Sequence, residues 1–277
     1  LPWENILTFF LSKDNFNVRI GYHCRKMSGQ SQPRIELLYQ ESYRQALHIA
    51  VGLFIIPLRW LGFWYGIGFA AVALLWNLLA MPRWFRDTLR LGERLRGYSS
   101  GMLAYPLCIL LLAVFFPIPV LAAAWAALSF ADGLATLGGR LFGRRNLPWN
   151  QNKTWLGSCI FLASATLFGW LAWEWTAVNA DGSCPLATAW LDFLANRFYA
   201  DRAPLSGFFS GNRIISSLNL IREHAHPLCF LTFALLSGSA AALLESLPLK
   251  KLNDNLTAPL FYALVFCLLL LSLPLWS

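Results

Sequence analysis

Gly101-Met-Leu-Ala-Tyr-Pro-Leu-Cys-Ile-Leu-Leu-Leu-Ala-Val-Phe-Phe116-Pro117-Ile-Pro119-Val-Leu-Ala-Ala-Ala-Trp-Ala-Ala-Leu-Ser-Phe-Ala-Asp132-Gly133 carries no charge before Asp132. One helix drawn from Gly101 to Gly138 would be roughly 57 Å long against a hydrocarbon core of about 30 Å, so the run reads as two membrane crossings. Phe116-Pro117-Ile118-Pro119 is the break, because proline lacks an amide hydrogen and its ring clashes with the preceding turn. The expected fold class is all-α, a polytopic membrane protein, with an acid near the end of one of its spans.

The rest of the chain agrees. It is 57% hydrophobic and only 13% charged over 277 residues, outside the soluble range. The 22 Lys+Arg exceed the 14 Asp+Glu, but the basic residues sit in short loops between apolar runs, which excludes a nucleic-acid-binding face. Cys24, Cys108, Cys159, Cys184, Cys229 and Cys267 are scattered without a metal or disulfide spacing and read as reduced cysteines. Leu1–Arg44 is polar and lacks the basic, apolar and small-residue order of a signal peptide.

Ala46–Met81 is also too long for one crossing, and Pro57-Leu58-Arg59 through Gly62 is its turn. Trp155–Trp175, Pro227–Leu244 and Pro259–Trp276 supply one crossing each, for about seven in all. This divides the chain into an N-terminal segment, 1–43, and a membrane domain, 44–277, with an insert at 176–226 on the opposite side. Within the insert, Leu186–Tyr199 reads as an amphipathic surface helix, and His224 and His226 as loop residues. Arg83, Arg86, Arg90, Arg94, Arg96, Arg140, Arg144, Arg145, Lys153, Lys250 and Lys251 fall in loops on one face, which the positive-inside rule makes cytoplasmic. Arg83–Arg96 itself reads as a surface helix touching water or headgroups.

That face gathers the unusual polar residues. Arg44 and His48, four apart, share a helical face at the mouth of the first span. Asp132 ends the fourth span, Lys153 precedes the fifth, Glu245 ends the sixth, and Asp254-Asn255 precede the seventh. Phosphoryl or nucleotidyl transfer needs such a mixture, with oxygen ligands for Mg²⁺ and cations to neutralise phosphate. Asp132, Glu245, Asp254 and the Asn255 amide are the available ligands, and Lys153 and Arg140 the phosphate clamps, with Arg144 and Arg145 beside them. Gly138, Gly139 and Gly143 allow backbone to approach a phosphate, and equally suit a helix-ending turn. Arg144 and Arg145 equally suit topology determinants. Asp132 resists a neutral reading best, since a lone carboxylate in an apolar span costs several kcal/mol.

Three blocks together resemble a known family. They are Arg44-Gln45-Ala-Leu-His48-Ile-Ala-Val-Gly52; Ala131-Asp132-Gly133-Leu-Ala135 through Gly139-Arg140, Gly143 and Leu147-Pro148 to Lys153-Thr154-Trp155-Leu-Gly157-Ser158; and Leu244-Glu245-Ser246-Leu247-Pro248 followed by Asn253-Asp254-Asn255-Leu256-Thr257-Ala258-Pro259-Leu260. Their kinds and order resemble the CTP-dependent polyprenol kinases, which include phytol, farnesol and dolichol kinases and are related to phosphatidate cytidylyltransferase. The resemblance covers about Ser42 to Trp175 and Leu228 to the end. It is nearest to phytol kinase in Leu-Pro-Trp-Asn and Glu-Ser-Leu-Pro.

The resemblance implies transfer of a phosphoryl group from CTP or another nucleotide to a long-chain isoprenoid alcohol drawn from the bilayer, with Mg²⁺ as cofactor. It implies Asp132, Lys153, Glu245 and Asp254 as catalytic residues, and Asp132, Glu245, Asp254 and Asn255 as the metal side. Gly133, Gly139, Arg140, Gly143, Arg144, Lys153, Thr154, Gly157 and Ser158 become the nucleotide side. Asn253 stands where the family has the first Asp of an acidic pair, and Gln45 where it has a lysine. The alternatives are a cytidylyltransferase making a CDP-lipid and releasing pyrophosphate, whose long signature is absent, and a non-catalytic transporter or lipid-binding protein.

Overall fold

Prolines end helices where the apolar runs are too long. In this computed structural model the described residues are 42–80, 83, 98–199, 227–248 and 253–272. The chain has two compact units, Leu1–Leu47 and His48–Ser277. Of the first, residues 42–47 are described and are helical; all that follows concerns the second.

From His48 the chain is helical to Val51, then tightens into a 3₁₀ turn, Gly52–Arg59, that contains Pro57. Helix α1 follows at Phe63–Ala80, and α2 at Ser100–Phe115 stops before Pro117. Pro117 is the extended residue before α3, Ile118–Phe142, and its carbonyl accepts the Leu121 amide at 2.8 Å. A two-stranded antiparallel hairpin, β1 Asn146–Leu147 and β2 Asn150–Thr154, leads into α4, Trp155–Gly182. Helix α5 is Pro185–Tyr199, α6 is Pro227–Ser246 and α7 is Asp254–Ser272.

The all-α polytopic architecture is as expected; the count of seven crossings is not reproduced. Among the described residues five helices, α1, α3, α4, α6 and α7, are long and apolar enough to cross a bilayer. Helix α2 is apolar but only 16 residues long, and the expected first arm tightens into the 3₁₀ turn at Gly52 instead of running as one α-helix. Residues 138–153, expected as a loop, are helical to Phe142 and then form the hairpin. Residues 1–41, Arg86, Arg90, Arg94, Arg96, His224, His226, Lys250 and Lys251 lie outside the described residues. Within the insert, Leu186–Tyr199 is helical as part of α5, with Ala187 and Leu191 buried and Leu186 and Phe193 exposed.

Helix α3 is the centre of the bundle. Its Leu121-Ala-Ala-Ala-Trp125 segment is fully buried, and it packs against α2, α4 and α7. Small side chains let those helices approach closely without a hydrophobic driving force between them. At Gly169 of α4, a Cβ would lie 2.2 Å from the Tyr262 hydroxyl of α7, so only glycine fits that crossing. Beyond it, Trp173 stacks on Phe230 of α6 at 5.1 Å, closing the three-helix contact.

The two ends of the bundle differ. At one, Arg59 lies 4.5 Å over the Trp175 ring, and Asn179 Nδ2 donates to the Leu58 and Leu61 carbonyls at 2.8 Å each. The other end gathers the start of α2, the hairpin, the end of α6 and the start of α7, and holds the charged site.

Candidate active site

Five consecutive residues of α3, Ala127–Ala131, form a π-helical turn immediately before Asp132. Such bulges release backbone groups from the regular ladder and recur at functional sites. Here the Leu128 carbonyl accepts a hydrogen bond from His48 Nε2 at 2.9 Å. A carbonyl can only accept, so Nε2 carries the proton, and the same N–H lies 3.5 Å from Asp132 Oδ2. Nearby, Trp125 Nε1 donates to the Tyr105 hydroxyl at 2.8 Å, Tyr105 pairs with Ser129 at 2.6 Å, and the Tyr105 ring meets His48 edge-on at 4.6 Å. Helices α2 and α3 therefore share a buried polar relay, Trp125–Tyr105–Ser129, close to Asp132.

Lys153 comes from β2. Its Nζ donates to Glu245 Oε1 at 2.5 Å and lies 3.4 Å from Asp254 Oδ2, joining hairpin, α6 and α7. Burial alone would lower the lysine pKa. Attraction to Glu245 and their hydrogen bond, with Asp132 and Asp254 beyond, more than reverse this and hold it above its ordinary value. Asp132, Glu245, Asp254 and Asn255 line one crevice, whose floor is Ala127, Leu128, Phe161, Ala258 and Pro259. Charged and apolar side chains thus line the same crevice.

The hairpin is itself tethered. Trp149 Nε1 donates to the Ser246 hydroxyl at 3.3 Å and Asn150 Nδ2 to the Ser246 carbonyl at 3.1 Å, while Asn150 Oδ1 accepts the Asn152 amide at 3.1 Å. Ser246 Oγ in turn donates to the Leu243 carbonyl at 2.7 Å. The Leu147-Pro-Trp-Asn150 and Glu245-Ser246 blocks, 96 residues apart between Asn150 and Ser246, meet here.

Asn253 is the N-cap of α7. Its Oδ1 accepts the Asn255 amide at 3.1 Å, and its carbonyl accepts the Leu256 and Thr257 amides at 2.9 and 3.0 Å. Its Nδ2 donates to the Ser100 carbonyl at 3.2 Å, beside the Asn255 Nδ2 to Gly101 carbonyl bond at 3.3 Å. Two amides thus tie α7 to the start of α2, and the Asn255 oxygen accepts no hydrogen bond among the described residues.

The glycines of the second block surround Thr154, which caps α4 by accepting the Gly157 amide at 3.1 Å. A Cβ on Gly143 would lie 2.6 Å, and one on Gly139 2.9 Å, from the Thr154 hydroxyl. The room they open is filled by Thr154, which brings α3 and α4 together. Gly133 is buried in α3, Ser158 lies in the first turn of α4, and Arg140, Arg144 and Arg145 are exposed. Arg44 belongs to the first unit. The structure thus brings together His48, Asp132, Lys153, Glu245, Asp254 and Asn255. The roles of Trp149, Asn150 and Ser246 have no local signature in the sequence beyond the motifs that contain them.

Among the described residues, no three His, Cys, Asp or Glu side chains gather as a ready-made metal group. That donor set still fits Mg²⁺, which keeps several waters and binds through one or two carboxylates plus substrate phosphates. Asp132 and Asp254, with the Asn255 oxygen, are the groups that would hold it.

A bundle of apolar helices with three carboxylates and a lysine collected at one end defines a polytopic membrane protein with a charged site at the bundle end. Farnesol kinase, chloroplastic, of Arabidopsis thaliana is 29% identical over 266 residues, 90% of this chain and 72% of that protein. Probable phytol kinase 3, chloroplastic, of Glycine max is 27% identical over 256 residues, 87% of this chain and 67% of its own length. Probable phytol kinase, chloroplastic, of Triticum aestivum is 29% identical over 116 residues, 39% of this chain and 35% of its own. The chain is thus similar, over most of its length, to proteins named as farnesol and phytol kinases. No family model matches the chain, and no solved structure does.

Proposed function

We propose that the protein is a membrane lipid-alcohol kinase that transfers the γ-phosphoryl group of a nucleotide, preferably CTP, to the hydroxyl of a long-chain isoprenoid alcohol such as phytol. The observation that carries this reading is Lys153 held against Glu245 and Asp254, two carboxylates that line one crevice together with Ala127, Leu128, Phe161, Ala258 and Pro259. An isoprenoid chain stays in lipid while its hydroxyl reaches the charged rim, where a nucleotide arrives from water. The relatives named as farnesol and phytol kinases support the acceptor class.

The chemistry asks mainly for alignment and charge neutralisation. The alcohol oxygen forms a bond to the γ-phosphorus as the bond to the bridging β–γ oxygen breaks, and the nucleoside diphosphate leaves. Lys153, charged throughout the neutral range, offsets charge on the phosphate oxygens, and the alcohol proton passes to a carboxylate of the rim or to water. His48 gives its N–H to the Leu128 carbonyl and stands 3.5 Å from the Asp132 carboxylate. Three carboxylates against one ammonium favour a nucleotide that brings a divalent cation, and Mg²⁺ bound there would spread the charge developing on the phosphates. Exposed Arg140, Arg144 and Arg145 precede the hairpin in the chain, and by the positive-inside rule they support a site that faces the cytoplasm.

The test is purified protein with labelled CTP, UTP or ATP and a panel of phytol, geranylgeraniol, farnesol, dolichol and diacylglycerol, with Mg²⁺ present. The expected products are a nucleoside diphosphate and an alcohol monophosphate. Release of pyrophosphate with a CDP-lipid, or no phosphorylated alcohol from any acceptor, overturns the reading.

A further inference from the structure

We infer that Ser246, Asn150 and Trp149 form a positioning latch that holds the hairpin on the end of α6 and thereby aims Lys153 at Glu245 and Asp254. This rests on the kinase reading for its kinetic consequence but not for its structural one. The hairpin is a poor element by itself, since β1 has two residues and β2 five, with an irregular register between Asn146 and Leu147. Two-stranded ribbons of this size are marginal without support. Support comes from Leu147, buried beneath the turn, and from the two hydrogen bonds to Ser246.

The Asn150 carboxamide uses both ends. Its oxygen accepts the Asn152 amide, an Asx turn that directs the chain toward Lys153, while its nitrogen donates to the Ser246 carbonyl. Ser246 is adjacent to Glu245, so one end of α6 supplies both the anchor for the hairpin and the partner of its lysine. The hydroxyl of Ser246 receives Trp149 and is fixed by its own bond to Leu243. None of the three residues touches Lys153 in this network, so each acts through placement.

Asn150→Asp is the sharpest variant, because an isosteric carboxylate keeps the Asx turn and loses only the donor to Ser246. Ser246→Ala and Trp149→Phe remove the other bond from its two sides. Hydrogen–deuterium exchange of the peptide covering 146–155 in detergent micelles reads the latch without reference to activity. Steady-state kinetics reads its effect on the lysine. The expected result is faster exchange of that peptide in Asn150→Asp and Ser246→Ala. Turnover should fall about tenfold, as misplacement of a charge-neutralising group implies, with the KM for the alcohol unchanged. Unchanged exchange and turnover in both variants overturn the latch, as does a loss that appears equally in the alcohol KM. Faster exchange in a protein that phosphorylates no alcohol supports the latch and removes the kinase reading alone.

Discussion

Lys153 Nζ and Glu245 Oε1 are 2.5 Å apart although 92 residues separate them in the chain, and Glu245 is 8% exposed. Removing one partner from such a pair leaves the other charge buried and unmatched, which costs about 3–5 kcal/mol. Lys153→Met should therefore destabilise the protein more than Lys153→Met with Glu245→Leu, and both should abolish turnover. Thermal unfolding in detergent compares the two. Equal destabilisation would show that the pair is not the source of the cost.

The charge state of Lys153 gives a pH prediction. Its folded-state pKa is raised above the ordinary 10.5, so its stabilising contribution is complete below that unfolded-state value and is lost only as pH rises through the folded one. Between about pH 7 and about pH 9 the stability difference between the protein and Lys153→Met should not shrink, because the lysine stays charged throughout. A difference that shrinks steadily toward pH 9 would mean that the lysine titrates in that range.

Asn253 looks in the sequence like an acid lost from a pair, and in the structure it is a helix cap with a second bond. Asn253→Asp keeps the cap oxygen and loses the donor to Ser100; Asn253→Ala loses both. Asn253→Ala should lower stability by about 1 kcal/mol, and Asn253→Asp by less. Denaturant titration in micelles decides the order. If Asn253→Asp were the more damaging, repulsion between the new carboxylate and Asp254 would outweigh the cap that it keeps.

The contrast shows what a chain of this kind reveals before it is folded. Pro117 and Pro119 mark a break because a missing amide and a fixed φ act locally, although Pro106 and Pro259 are accommodated inside α2 and α7. Asp132 stands out because a charge in an apolar run is costly in any fold. The hairpin at Asn146–Thr154 lacks the alternation of polar and apolar residues that announces a strand, and it is held by bonds to Ser246 about a hundred residues away. The π turn before Asp132 is likewise invisible, since Ala-Leu-Ser-Phe-Ala suits an ordinary helix and is completed by His48 from another segment. The site residues were recognisable by type; their partners depend on tertiary placement.

Gly143 is required for space and not for an unusual backbone, since its φ is −69° and its ψ 119°. A methyl group there would meet the Gly139 carbonyl at 2.2 Å as well as Thr154. Gly143→Ala should displace the Thr154 cap and the adjoining Lys153, lowering stability by about 1–3 kcal/mol, as overpacking does. Unfolding measurements together with turnover test this. Normal stability with lost turnover would instead point to direct contact between Gly143 and a phosphate.

Ala258 tests where the alcohol lies. It is buried in the crevice floor beside Pro259, one helical turn from Asp254, and faces the same space as Leu128 and Phe161. If the hydroxyl-bearing end of the acceptor enters there, Ala258→Leu fills its seat while leaving Lys153 and the carboxylates in place. Mismatch of one or two methylenes in an apolar pocket is worth about 1–3 kcal/mol, so the KM for the alcohol should rise at least about tenfold while that for the nucleotide stays near its original value. Because the leucine also adds volume to a packed wall, Ala258→Gly serves as the opposite perturbation and should leave nucleotide KM unchanged while relaxing discrimination among alcohols. A parallel rise in both KM values for Ala258→Leu would show that the crevice belongs to the nucleotide, and the acceptor would then have to approach Asp132 from the side of α3 instead.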